Sequence, residues 1–239
     1  MSGAPSFPPL LHGAAGRGDP FAAAVAGAEA EAEPGRVHYE ARDDMLRVAV
    51  VLAPEMPLAD AMGALLAVQL GLADALGALS PPEVAVQFGW PDRLLVNGGL
   101  CGRFRAAAAT DDPGAEPDWL VIGMEVDIIP APDLNPGAHP DRTTLHGEGC
   151  GDVTAIDLIE AWSRHMMGWL HTFMSEGFAP LHGAWGGKCA DLGADVTAPE
   201  PGRFLGLDEK AGMILRRADG DAIIPLSTML EAQRCNSPE

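Results

Sequence analysis

The residues best suited to chemistry in this chain lie between positions 84 and 109, VAVQFGWPDRLLVNGGLCGRFRAAAA. A Trp90-Pro91-Asp92 turn presents a carboxylate at the end of an apolar run. Eleven positions further on, Arg103 and Arg105 alternate with Phe104 and Ala106, so a strand sends the arginines to one face and the apolar pair to the other. The arginines read as a structural pair. Lysines are scarce: Lys188 and Lys210 are the only two, so a mechanism that needs one beside this motif must bring it from late in the chain. Cys101 has no base nearby in sequence and reads as a small buried hydrophobe rather than a nucleophile. His146, Glu148 and Cys150 alternate in a loop and could gather an ion, whereas His165 and His171 are six apart on a helix and diverge. No metal site is expected.

Several elements must position these groups. Val84 to Phe88 and Leu94 to Val96 read as short strands, and Asn97-Gly98 between apolar runs is a hairpin signal because both turn positions need positive φ. A third strand opens at Leu100-Cys101-Gly102. Upstream, Asp19-Pro20 caps an Ala-rich helix from Phe21 to Glu33, and Leu46 to Ala53 is a buried strand. Leu58 to Leu79 carries apolar residues at helical spacing. Trp119 to Ile128 is a further strand, residues 129–151 a long loop, and Thr154 to about Glu176 a helix with Trp162, Met166 and Phe173 inward.

Taken in order, these residues resemble the biotin/lipoate A/B protein ligase superfamily. Its central motif is Lys-Trp-Pro-Asn-Asp, a hairpin, then Lys-(Leu/Val)-Ala-Gly. Trp90, Pro91, Asp92, Leu100 and Gly102 match, and the two lysines fall on Gly89 and Gly99. Gly123 matches the first glycine of the family's Ile-Gly-x-Gly-x-Asn strand, with Glu125 at the second and Asp127 at the asparagine. The family's first helix begins Asp-Ser-Thr near the ligand; Asp19 matches, while Pro20 and Phe21 take the hydroxyl positions. Gly35-Arg36 matches only the last Gly-Arg of the loop that closes over the adenylate, a task that needs glycines and cations around a phosphate.

The resemblance implies an α/β (α+β) fold, a mixed central sheet backed by helices, with a small SH3-like β-barrel at the C-terminus suggested by FLGLDEKAGMILRRADGDAIIPL. The expected organisation is a flexible arm over 1–18, a ligase-like domain over 19–195, a small β domain over 196–232 and a disordered tail over 233–239. The implied ligand contacts are Arg36, Trp90, Asp92, Gly102, Phe104, Ala106, Gly123 and Asp127, with Phe104 and Ala106 facing the ligand. ATP and biotin or lipoate are the implied cofactors. A small organic acid or a biotinyl or lipoyl carrier protein is the implied partner, and a homodimer is left open. Because the motif lysines are absent, the sequence reads as a binding module that has lost adenylation. The alternative is a divergent ATP-dependent ligase that joins a biotin- or lipoate-like acid to a carrier lysine through an acyl-adenylate.

Composition narrows the classes. The 239 residues suit one domain with a small appendage, and 47% hydrophobic content with only 5% aromatics means that Ala, Leu and Val fill the core. A formal charge of −19 argues against nucleic-acid and anionic-membrane partners. No apolar run is expected to span a membrane, and no secretory signal opens the chain. Four dispersed cysteines imply reduced thiols and a cytoplasmic protein.

Overall fold

A computed structural model describes residues 3–130 and 141–231. The order of elements is β1 (His12–Ala15), α1 (Pro20–Ala30), β2 (Arg36–Ala41), β3 (Met45–Leu52), α2 (Leu58–Ala61), α3 (Gly63–Leu79), β4 (Val86–Gly89), β5 (Arg93–Val96), β6 (Gly99–Ala108) and β7 (Leu120–Asp127). After these come α4 (Ala155–Glu176), α5 (Phe178–Gly186), β8 (Asp195–Val196), β9 (Gly202–Leu207), β10 (Met213–Arg217) and β11 (Gly220–Ile224).

The first seven strands form one sheet in the order β1-β2-β3-β7-β6-β5-β4. It is mixed: β1 runs parallel to β2, and the other neighbours are antiparallel. β3 shows why its sequence is apolar without alternation. Leu46, Val48 and Val50 face the core under α3 and α4, while Ala49 and Val51 face α1 on the other side, and a strand covered on both faces needs no polar side. The α1 side is lined by small residues, Ala24, Ala28, Ala49 and Ala107, which let helix and sheet approach closely. On the opposite side α3 and α4 pack tightly at Gly71, where a Cβ would stand 2.7 Å from the Met166 backbone.

The stretch Leu58–Leu79 is long and apolar enough, by length and composition, to cross a membrane, contrary to the expectation from sequence. Most of it is buried inside the protein, as the core layer between the sheet and α4. The hairpin reading holds in detail: Asn97 and Gly98 take φ of 50° and 86°, and β5 turns directly into β6.

Two expectations need correction. Residues of the N-terminal arm are docked: His12–Ala15 pair with β2, the Ser6 amide donates to Glu160, and Phe7 packs on Tyr39. Backbone bonding to an edge strand holds this segment, so its Gly- and Ala-rich composition says little about its order. The C-terminal strands form an open antiparallel sheet, β11-β10-β9-β8, and among the described residues β8 and β11 do not pair to close a barrel. The small sheet is instead anchored to the main core through Phe204, Met213 and Leu215. The expected tail at 233–239 and the middle of the 129–151 loop lie outside the described residues.

Candidate functional site

The Trp90-Pro91-Asp92 turn is held from three sides. Gln69, fully buried within α3, donates from Nε2 to the Pro91 carbonyl at 2.7 Å and accepts from Trp185 Nε1 at 2.6 Å. Trp90 is itself buried and donates from Nε1 to the Ala211 carbonyl at 3.0 Å, tying the turn to the C-terminal sheet. Asp92 accepts from Arg103 Nη1 at 3.0 Å, and its carbonyl takes the Phe104 amide at 2.7 Å. The carboxylate therefore enters a cleft of about 910 Å³ between β6 and the C-terminal segments around Val196 and Met229. Arg93, Arg103 and Arg105 all border this cleft.

The glycines at the motif-lysine positions are occupied space. A Cβ on Gly89 would lie 2.6 Å from the Arg93 guanidinium, which reaches across from the neighbouring strand and pairs with Asp191 at 2.6 Å. A Cβ on Gly99 would lie 2.8 Å from the Thr143 methyl. The two lysines are elsewhere. Lys188 contributes its carbonyl to the Phe88 amide, extending the β4 edge, and Lys210 pairs with Asp60 at 2.6 Å.

The expected ligand face is corrected. Phe104 and Ala106 point toward the helices: Phe104 is buried with its ring edge-on to Phe88, which stacks on Trp185. The opposite face carries Arg103, Arg105 and Gly123, and there the space above Gly123 is filled by Phe21. A Cβ on Gly123 would stand 2.6 Å from the Phe21 ring, and the Arg105 guanidinium lies 4.1 Å above that ring. The remaining gap between Phe21, Arg47, Arg105 and Glu125 has no room for a water molecule. Arg105 is bound by Glu231 through two hydrogen bonds and by Asp19 through one, and these carboxylates, Glu231 foremost, raise its already high pKa. Asp19 is pushed up by burial, but the hydrogen bond and charge of Arg105 outweigh this and leave it below its ordinary value.

The other expected contacts disperse. Arg36 pairs with Glu33 and does not border the cleft. It lies four positions before Glu40, the β2 residue level with Arg47 and Glu125, so it stands about 13 Å along the strand from that row. Gly102 is on the helix-backed face, where a Cβ would collide with the Glu125 carbonyl at 2.3 Å. Asp127 pairs with Arg142 at 2.8 Å, away from the cleft. Of the three loop residues considered for an ion, Glu148 binds Thr143 and Asn97, His146 meets the Val153 carbonyl, and Cys150 donates to Ser80. Burial pushes the Cys101 thiol strongly upward, with Asp127 adding to the effect, so it stays protonated. Sequence reasoning placed Phe21 at a hydroxyl position without foreseeing its ring over Gly123, and it missed Gln69 and Arg93. Arg93 was within reach, since a hairpin with the three loop residues Trp90, Pro91 and Asp92 places it directly opposite Gly89.

A helix-backed mixed sheet, with a Trp-Pro-Asp turn leading through a hairpin into a strand beside a glycine strand, defines a ligase-like α/β protein. The chain belongs to the biotin/lipoate A/B protein ligase family, whose sequence model matches residues 7–187. It is similar to a biotin protein ligase-like protein of unknown function from Silicibacter sp. TM1040, at 44% identity with a TM-score of 0.90, covering 96% of this chain and 100% of that one. It shares its fold with the biotin protein ligase of Aquifex aeolicus, at 19% identity and a TM-score of 0.69, over 88% of this chain and 93% of that one. The biotin–[acetyl-CoA-carboxylase] ligase of Paracoccus denitrificans is 30% identical over 152 residues, 60% of this chain. That match spans 62% of the relative's own length.

Proposed function

We propose that this protein is a ligase-fold binding module: it holds a small molecule in the cleft beside Trp90 and Asp92 and does not carry out the family's usual adenylation. The observation that carries this reading is the Phe21 ring lodged over Gly123. In the family the glycine strand lets the acid approach the backbone. Here a side chain of the protein occupies that approach, and the gap left beside it has no room for a water molecule. The chemistry agrees with the geometry. Stabilising charge on a carboxylate and an α-phosphate is the largest catalytic contribution expected of such an enzyme, and Gly89 and Gly99 supply no lysine for it.

A second reading has its own support. The Arg93 guanidinium stands in the space above Gly89, so a cation is present near the first motif position after all, and a relative at 30% identity is named as a biotin ligase of acetyl-CoA carboxylase. On this reading the protein is a divergent ligase and its partner a carrier protein. Biotin- and lipoate-dependent ATP–pyrophosphate exchange decides between them. The binding module gives background exchange with either acid. Exchange above background that Asp92→Ala abolishes establishes the ligase and refutes the module.

A further inference from the structure

The open face of the sheet carries one row of charged side chains set by strand register. Gly89 pairs with Arg93, Arg93 with Arg103, Arg103 with Glu125, Glu125 with Arg47, and Arg47 with Glu40. From Arg103 onward the row alternates in sign, as cross-strand partners should. At Arg93 and Arg103 it does not. Two arginines lie directly opposite each other, in a chain that carries a net charge of −19. Directly opposed like charges are destabilising at the roughly 5 Å separation of facing Cβ atoms.

Each of the two is tethered by a carboxylate on a different segment, Arg93 by Asp191 and Arg103 by Asp92, through a single hydrogen bond in each case. A guanidinium has five N–H donors. The remaining side-chain donors of both arginines have no protein partner among the described residues, and both groups border the cleft. Arg105 differs: three hydrogen bonds to Glu231 and Asp19 and the face of Phe21 consume it. Gly89 completes the arrangement, because a side chain there would take the space that the Arg93 guanidinium now fills and push that group aside.

We infer that Arg93 and Arg103 form a two-arginine clamp for the oxyanion, carboxylate or phosphate, of the small molecule bound in the cleft. The glycine at the first motif position is then an exchange of cations: the strand that would have carried lysine gives up its side chain, and the facing strand supplies a guanidinium. Planar forked donors suit carboxylate and phosphate oxygens better than a single ammonium does. The clamp rests on the reading of the cleft as a ligand site and adds the chemistry that the site selects.

The test uses the full chain and two probes, inorganic phosphate and acetate, titrated separately at constant ionic strength because exposed charges are screened. Arginine Nε–Hε NMR resonances report the binding. At least one anion is expected to saturate the Arg93 and Arg103 signals with a dissociation constant of about 1–10 mM. Phosphate alone points to a phosphoryl ligand, acetate alone to a carboxylic acid, and both to a general oxyanion site. Arg103→Gln, at a half-exposed side chain, should weaken the bound anion about tenfold, and Arg93→Gln should do the same. Arg216→Gln, which removes a surface pair with Asp221 outside the cleft, should leave binding unchanged. If Arg93→Gln fails to fold by circular dichroism, Arg103→Gln decides alone. The clamp is overturned if neither anion saturates these signals by about 100 mM, if Arg103→Gln binds like wild type, or if Arg216→Gln weakens binding equally. Pyrophosphate exchange with intact anion binding would refute the module and leave the clamp standing, whereas absent anion binding refutes the clamp alone.

Discussion

Replacing Phe21 with alanine tests the closed face of the sheet most directly. The ring is 5% exposed, lies against the bare backbone of Gly123 and supports the Arg105 guanidinium 4.1 Å above its centre. Phe→Ala in a packed core costs about 3–5 kcal/mol, part from lost burial and part from the cavity left behind, and the cation–π contact accounts for about 1 kcal/mol of that total. Phe21 belongs to a small cluster under α1 rather than to the main core, and the Arg105 side chain can settle inward. The lower part of the range, about 3 kcal/mol, is therefore expected. A domain of this size, stable by about 5–15 kcal/mol, remains folded. Urea denaturation followed by tryptophan fluorescence gives the loss as a shift in midpoint. Phe21→Leu, which keeps most of the bulk, should lose less than about 1.5 kcal/mol. Calorimetry supplies the second measurement: biotin should give no binding heat with the wild type and measurable heat with Phe21→Ala. A variant within about 0.5 kcal/mol of wild type, below the range surveyed for buried positions, would show that the ring does not fill this space. Tight biotin binding by the unmutated protein would refute the reasoning equally.

Gln69→Leu leaves both the Pro91 carbonyl and the Trp185 indole N–H buried without their partner. At about 1–3 kcal/mol for each orphaned group, the same urea assay should show a loss of about 2–4 kcal/mol net of the added apolar burial, and an unchanged midpoint would contradict the network. The Asp19 carboxyl titrates below its ordinary value of 3.8 in the folded protein, because its hydrogen bond to Arg105 outweighs burial. A depressed acid stabilises the fold above the unfolded pKa, and that contribution disappears as pH falls through the folded value. Asp19→Asn keeps the helix cap but removes the charge, so its loss relative to wild type should be largest at pH 6 and shrink toward pH 3. A difference that grows on acidification would reverse the assignment.

Local chemistry made much of the fold legible. Asn97-Gly98 dictated a turn with two positive φ values, and Asp19-Pro20 a helix start whose cap bonds the Phe21 amide. Alternation correctly put Arg103 and Arg105 opposite Phe104 and Ala106. A period of two separates faces without saying which one the helices cover, and the helices cover the face of Phe104 and Ala106, where the open face was expected. Strand closure is a similar case, since FLGLDEKAGMILRR reads as short strands whether or not the first and last of them meet. β1 has no β-branched residue and depends on backbone bonds alone, so its sequence carried no strand signal. Gly89 and Gly99 looked like losses. Only the structure shows Thr143, from the segment after β7, in the volume above Gly99, because a side chain brought in from a distant segment cannot be read at the position it fills.

The guanidinium of Arg105 joins three distant parts of the chain: Asp19 lies 86 residues before it and Glu231 lies 126 after it. Closing loops of such lengths costs chain entropy that grows only logarithmically, so the two closures are nearly equal in cost. Neither can form until β6 has been placed, which makes this knot a late event in folding and an early one to loosen. Amide exchange should then report the Phe21 N–H and the Glu231 N–H opening together, with lower protection than the central strands. The first helix and the last described residues would share one fate, although nearly the whole sequence lies between them.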